Sequence, residues 1–304
     1  MANITYQLTS AINAGFKEGQ DKHSYRQQHC TWGKPSGKVF SYASRKELIQ
    51  TATNFGKWLQ KENPEIKYVY QISPQHVQEW LQTKVSNQQS TVDQYASRMR
   101  QIEALCGEKF KTMDRQWNVK APRSEYQEKL RDIVFKREHL VTLMEYTKEK
   151  GCCSRDAIEF ASRFGARSEE IVTLKAREID LKNNVIRLNT TKGGRARELP
   201  IKEKDREFLK ECLKAVGPTN RVFPIAKDTP NKWLHSNMLK IGVTEYSSAK
   251  TGIHAIRKMV AQERYDECRE QGLTKEQALG YVNEYLGHAY DRVSLNDTYI
   301  ANQW

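Results

Sequence analysis

The chain has 304 residues, 38% hydrophobic and 29% charged, enough apolar material for one large or two modest domains with a real core. A formal net charge of +13 points to a polyanionic partner, nucleic acid or an anionic membrane surface, although charge alone is a weak signal. No apolar run approaches bilayer-spanning length, the N-terminus has no secretory signal, and six cysteines form no CxxC pair. A cytoplasmic protein with reduced thiols is therefore expected, with no membrane association, no zinc site and no disulfide framework.

Residues 1–43 are polar and mixed, a segment of unassigned role in which "LTSAINAGFKEGQ" reads as a helix and "WGKPSGKVFSY" as a loop. From Ser44, "SRKELIQTATNFGKWLQKENP" spaces Leu48, Thr51, Phe55 and Leu59 for a helix that stops at Pro64. In "SPQHVQEWLQTKV" a Ser-Pro pair opens a helix whose apolar face is Val77, Trp80 and Leu81. "STVDQYASRMRQIEALCGEKF" sets Val92, Tyr95, Met99, Ile102 and Leu105 in register, so residues 44–125 make a small, basic, all-helical unit. "KTMDRQWNVKAPRSEYQEKLRD", charged and interrupted by Pro122, reads as a linker. Residues 126–304 form a second domain. It opens with the helices "KREHLVTLMEYTKEKG" and "SRDAIEFASRFGARSEEIVTL". The period then switches in "NNVIRLNTTKGGRARELPI", two β-prone runs around a Lys-Gly-Gly turn, before helices resume.

Several segments carry side chains suited to anion chemistry, each with an ordinary alternative. "GIHAIRKMVAQERY" places His254 and Arg257 on one helical face, beside an apolar face of Ile253, Ile256 and Val260. Alone, this is an amphipathic helix with polar residues outward. "FGARSEEIVTLKAREIDL" sets Arg167 where a Gly-Ala turn enters a helix, with Ser168 as a cap and Glu170 able to turn back and orient Arg167; an acidic first turn is also simply favourable. Lys192 at the hairpin turn, followed by Arg195 and Arg197, is either solvated or aimed at a phosphate backbone. The closing stretch "YLGHAYDRVSLNDTYIANQW" brings His288 after a glycine and offers Tyr285, Tyr290 and Tyr299.

In order, Arg, hairpin Lys, His-x-x-Arg, Leu-Gly-His and Tyr resemble the catalytic set of the tyrosine recombinase (integrase) family. The matching stretches are "ARSEEIVTLKAREID", "TTKGGRARELPI", "HAIRKMVA" and "YLGH" with "TYI". They span about residues 130–300, with a weaker match over about 44–125, where the family has a helical core-binding domain. The resemblance implies a mainly α fold with a small antiparallel β-sheet (α+β), its two domains closing on DNA as a C-shaped clamp. It implies that Arg167 and Arg257 hold the scissile phosphate, that Lys192 protonates the leaving 5′-oxygen, and that His254 assists proton transfer. His288 would donate a hydrogen bond to the phosphate, Glu170 would support from behind, and Tyr299 would attack to form a 3′-phosphotyrosyl intermediate. Arg195, Arg197 and Lys258 are candidate DNA contacts. No metal, ATP or other cofactor is implied, because the guanidiniums and imidazoles supply the positive charge. The expected partners are a specific double-stranded DNA site, a homo-tetramer in the synaptic complex and accessory DNA-bending proteins, with the protein nucleoid-associated when bound.

Two spacings depart from the family pattern: the stretch from Arg257 to His288 is long, and His288 to Tyr299 is 11 residues. Only five residues follow Tyr299, so either Trp304 alone reaches a neighbouring protomer, another surface couples the active sites, or the chain was cut. Tyr285 is expected in the core, and Tyr290 is too close to His288 to swing in line with a phosphate held there. The expected activity is site-specific recombination that integrates or excises a mobile element. The alternatives are a type IB topoisomerase-like enzyme and a catalytically silent DNA-binding relative.

Overall fold

The structure is a computed structural model in which residues 3–29, 35–111, 116–126, 133–189, 196–246, 252–291 and 296–303 are described. The chain divides into two compact units, Met1–Glu128 and Lys129–Trp304. Among the described residues, no helix is long and apolar enough to cross a membrane.

The described part of the first unit is helical: α1 (Ile4–Gly15), α2 (Lys22–His29), α3 (Tyr42–Glu62), α4 (Pro74–Gln82) and α5 (Gln89–Phe110). Caps set the starts. Asn3 accepts the Tyr6 N–H at 2.8 Å, Ser41 accepts the Ser44 N–H at 3.1 Å, and Ser73 precedes Pro74 at the first turn of α4. Because Ser41 supplies the cap, α3 begins at Tyr42, ahead of the apolar periodicity that starts at Leu48. Ile4, Leu8 and Ile12 of α1 share one core with Phe55, Trp80 and Met99, so the N-terminal segment contributes a helix to this unit. The stretch read as a linker also contributes to the core. Trp117 is 1% exposed, lies 6.2 Å from the Phe55 ring, and gives its backbone N–H to Glu103. One buried aromatic of this kind contributes roughly 2–3 kcal/mol, enough to dock an otherwise polar run.

The second unit is mainly α with one small antiparallel sheet, the class expected from the sequence. Its elements are α6 (Arg137–Tyr146), α7 (Cys153–Phe164), α8 (Ser168–Thr173), strands β1 (Ile179–Asp180), β2 (Val185–Leu188) and β3 (Arg197–Pro200), then α9 (Glu203–Leu213), α10 (Thr229–Lys240), α11 (Ile253–Glu270), α12 (Lys275–Tyr285) and α13 (Asn296–Tyr299). The sheet order is β1-β2-β3, and β2 pairs with β3 in the register Ile186 to Leu199 and Leu188 to Arg197. Alternation turns Ile186, Leu188, Arg197 and Leu199 inward. The intervening Arg187 and Glu198 face each other outside as an ion pair at 3.1 Å. The hairpin turn, with Lys192 and Arg195, lies outside the described residues.

Helix α7 packs against α8, α10 and α11. From Ile253 to Ala261 every side chain of α11 is buried except that of His254. One short motif therefore sends His254 outward and Arg257 into the core.

Candidate active site

The site is built on helix ends, where backbone groups are left unpaired. Helix α7 stops because Gly165 adopts a left-handed φ of 60°, a conformation costly for residues with a Cβ. Two residues on, Arg167 stands in extended conformation at the start of α8. Glu170, one turn into α8, folds back. Its carboxylate accepts the Arg167 backbone N–H at 2.8 Å and the Arg167 Nη1 at 2.7 Å. Glu170, rather than Ser168, therefore satisfies the exposed donor at this helix start.

Leu-Gly-His terminates α12 in the same way. Gly287 takes φ +74°, its N–H bonds to the Glu284 carbonyl at 2.8 Å, and the His288 N–H bonds to the Asn283 carbonyl at 2.8 Å. This pair of bonds is a Schellman closure, and it leaves the carbonyls of Tyr285 and Leu286 without helical donors. Arginines take them up. Arg167 Nη2 donates to the Leu286 carbonyl at 3.0 Å, Arg257 Nη2 donates to the same oxygen, and Arg197 Nη1 donates to the Tyr285 carbonyl. Arg257 Nη1 reaches the Gly165 carbonyl, so one guanidinium ties the end of α7 to the end of α12. Arg167 Nη2 also lies 3.3 Å from His288 Nε2. Arginine only donates, so in this contact Nε2 is the acceptor.

Charge and burial are concentrated here. Arg257 is 1% exposed. Burial, then the neighbouring Arg197 and Arg167, lower its pKa to about 9, which leaves it protonated at neutral pH. Its Nε has no hydrogen-bond partner among the described residues. Burial pushes the Glu170 carboxyl upward, but Arg197, the Arg167 N–H, Arg257 and the Arg167 guanidinium outweigh it and hold the pKa below the usual range. Tyr299 closes the group. Its ring centroid lies 5.4 Å from that of His254, 5.6 Å from that of His288, and 5.6 Å from the Arg257 guanidinium carbon. Past Tyr299 the chain stays on this unit. Ile300 is buried, and the Gln262 side chain of α11 both receives the Asn302 N–H at 3.0 Å and donates to the Asn302 carbonyl at 2.8 Å.

The sequence model of the phage integrase family matches residues 134–300, more than half of the 304-residue chain. The chain belongs to the phage integrase family. Its fold is that of solved tyrosine recombinases. The integrase of transposon Tn1549, in complex with transposon right end DNA, matches at a TM-score of 0.63 and 13% identity, over 98% of this chain and 94% of that one. A lambda integrase dimer bound to a COC′ core site matches at 0.60 and 14% identity, over 92% and 95%. XerH site-specific recombinase bound to difH matches at 0.58 and 17% identity, over 100% and 94%. Sequence comparison with curated proteins finds no match.

In this family member the structure gathers Arg167, Glu170, His254, Arg257, His288 and Tyr299 into one group, although they come from four separate stretches of chain. Lys192 and Arg195 lie outside the described residues. Two candidate DNA contacts are buried: Arg197 is 7% exposed and Lys258 is 6% exposed, so neither presents its charge on the outer surface. Arg197 turns in because it shares a face of β3 with Leu199, and Lys258 because α11 is packed around most of its girth. Tyr290 is half-exposed, with its ring against Gly280 of α12 rather than among the arginines. The carbonyls of Gly165 and Leu286 were not foreseen. The inward turn of Arg197 was legible in principle, since period-two alternation from Leu199 places it on the core face.

The depressed Glu170 pKa has a consequence for stability. A group whose folded pKa lies below its unfolded value of about 4.3 stabilises fully above that pH and loses its contribution as pH falls through the folded pKa. Glu170→Gln should therefore be less stable than the wild type at pH 7, with the gap closing on acidification below about pH 4–5. Urea unfolding at pH 7, 5, 4 and 3 checks this; parallel curves for the two proteins would contradict it.

Proposed function

We propose that this chain is an active site-specific recombinase that cleaves and rejoins duplex DNA through a 3′-phosphotyrosyl intermediate on Tyr299. The observation that carries this reading is the ring of Tyr299 set against His254, His288 and Arg257 in one site, with Arg167 bonded to His288. Arg167 and the free Nε of Arg257 receive the non-bridging phosphate oxygens and offset charge growing on them in the transition state. The Tyr299 ring now covers Arg257, so an entering phosphate displaces the ring and brings its hydroxyl beside the phosphorus. The tyrosine oxygen then bonds to phosphorus and the bond from phosphorus to the 5′-oxygen breaks. The phenolic proton passes to His254, the exposed base on α11, and Lys192 protonates the departing 5′-oxygen. Attack by a new 5′-hydroxyl reverses every step, so bond energy is kept and neither ATP nor a metal is consumed.

The first unit serves as a DNA-binding domain beside the catalytic second unit. Support comes from the net charge of +13 and from the DNA-bound states of the Tn1549, lambda and XerH proteins. A tetramer on two DNA sites follows from the need for four strand cleavages, and a lambda integrase tetramer bound to a Holliday junction shares the fold. Integration or excision of a mobile element is the role that fits transposon and phage neighbours.

The test uses a pool of nicked duplexes with a randomised core and a label on the 5′ end of the cleaved strand. The nick releases the short downstream fragment and traps the cleaved state. Wild-type protein should form a denaturant-stable, protease-sensitive adduct on a sequence subset of the pool, weakening steeply with salt. No adduct from any pool would overturn the proposal.

A further inference from the structure

We propose that Arg197 is a positioning residue of the strand-cleavage reaction, one that divides the Glu170 carboxylate and so leaves the Arg167 guanidinium directed toward the phosphate. This rests on the recombinase function proposed above. Arg197 opens β3, and its guanidinium donates to Glu170 Oε2 at 2.6 Å and to the Tyr285 carbonyl. The other oxygen, Oε1, takes Arg167 Nη1 at 2.7 Å. Thus one carboxylate is shared between two guanidiniums, with Arg257 acting on it as well.

Stability alone does not explain a charge at this position. A buried ion pair costs desolvation that an apolar pair of similar volume avoids, and β3 already sends Leu199 into the same core. What Arg197 adds is a second claim on Glu170. Without it, Oε2 keeps only the Arg167 backbone N–H and has room for a second bond from the Arg167 fork, a bidentate arrangement that offsets the Arg167 charge and draws it back from an incoming phosphate. With it, three guanidiniums face a single described carboxylate, and the excess positive charge is directed at the place where phosphate charge develops. The same side chain holds the end of α12 in place. A Cβ on Gly287 would come within 2.9 Å of Arg197 Cδ, so the backbone before His288 rests directly on the arginine stem. Arg197 therefore links the strand after the Lys192 turn to the carboxylate beneath Arg167 and to the helix end that carries His288.

The test compares Arg197→Met, Arg197→Lys and the double variant Arg197→Met/Glu170→Gln on the site recovered from the randomised pool. Single-turnover cleavage rate at saturating protein is measured beside DNA affinity and thermal unfolding. Arg197→Met should cleave about 100-fold more slowly, the scale of one lost electrostatic contact in a dry site, with affinity changed less than about threefold, since phosphate contacts elsewhere dominate binding. Removing the carboxylate as well should recover at least about tenfold of that rate, a coupling expected only of groups that act on each other. Arg197→Lys keeps the charge and should lie between wild type and Arg197→Met. A purely structural role would instead lower the amplitude of cleavage with the fraction folded and leave the rate unchanged. That outcome, a wild-type rate for Arg197→Met, or a double variant no faster than Arg197→Met would overturn the inference. Should Arg197→Met not fold, Arg197→Lys decides: a cleavage rate below that of the wild type at unchanged affinity and fraction folded supports the role, and a wild-type rate overturns it. Absence of any wild-type adduct is a different failure, that of the recombinase reading itself.

Discussion

Tyr299→Phe is expected to abolish the covalent DNA adduct, slowing single-turnover cleavage by at least about 10³-fold, the scale of losing a nucleophile. DNA affinity should change little, because binding comes from many phosphate contacts and not from one hydroxyl. The expectation is specific because the closing stretch offers three phenols and the fold separates them. Tyr285 is 6% exposed beneath the Arg264 guanidinium, which sits 5.1 Å from its ring centroid. Tyr290 is 49% exposed and rests on Gly280, with its carbonyl receiving the Asn283 side chain at 3.3 Å. Only Tyr299 lies between two imidazoles and a guanidinium. Tyr290→Phe should accordingly cleave at close to the wild-type rate. An adduct that survives Tyr299→Phe and is lost in Tyr290→Phe would move the nucleophile to Tyr290 and leave the family assignment intact.

Replacing Arg257 should damage folding and chemistry together, and a lysine should not rescue it. The guanidinium spans the Gly165 and Leu286 carbonyls while its Nε remains without a partner among the described residues, a three-way geometry that one ammonium cannot reproduce. In Arg257→Met two buried carbonyls lose a donor at about 1–3 kcal/mol each, partly offset because a buried charge is no longer desolvated. A net loss of about 2–4 kcal/mol, or roughly 5–15 °C in Tm for a unit of this size, is expected by calorimetry. Leu286 keeps its bond from Arg167, which limits the damage at that oxygen. Among the molecules that remain folded, cleavage should fall by about 10²–10³-fold, the usual effect of removing one preorganised donor from developing negative charge. Arg257→Lys should share most of both losses. Wild-type Tm and cleavage in that variant would show that the fork geometry has neither role.

Much of the local structure follows from short-range signals. Phe55, Trp80 and Met99 fall on the buried faces that their spacing predicts, and the runs around the Lys-Gly-Gly turn pair as antiparallel strands. Errors arose where one residue outweighs the character of its neighbours. Trp117 anchors a polar run and Ser41 starts α3 ahead of its apolar face, while the helix expected in the N-terminal segment carries a core face of Ile4, Leu8 and Ile12. The charge of Arg197 and Lys258 is legible in the sequence, whereas their place on buried faces of β3 and α11 is set by packing.

The order of chemical groups, Arg167, His254 and Arg257, His288 and Tyr299, was set by the sequence alone, and so was membership of a family whose model spans residues 134–300. Side-chain identity and spacing are local and legible. What only the tertiary structure decided is what each group is fastened to. Arg167 meets Leu286 across 119 residues and Arg257 meets Gly165 across 92, and both acceptors are backbone carbonyls. Every residue carries such a carbonyl, so no sequence pattern marks which oxygen an arginine will find. That choice belongs to two helices ending at glycines, Gly165 and Gly287, whose freed backbone groups meet only when α7 and α12 are packed around α11.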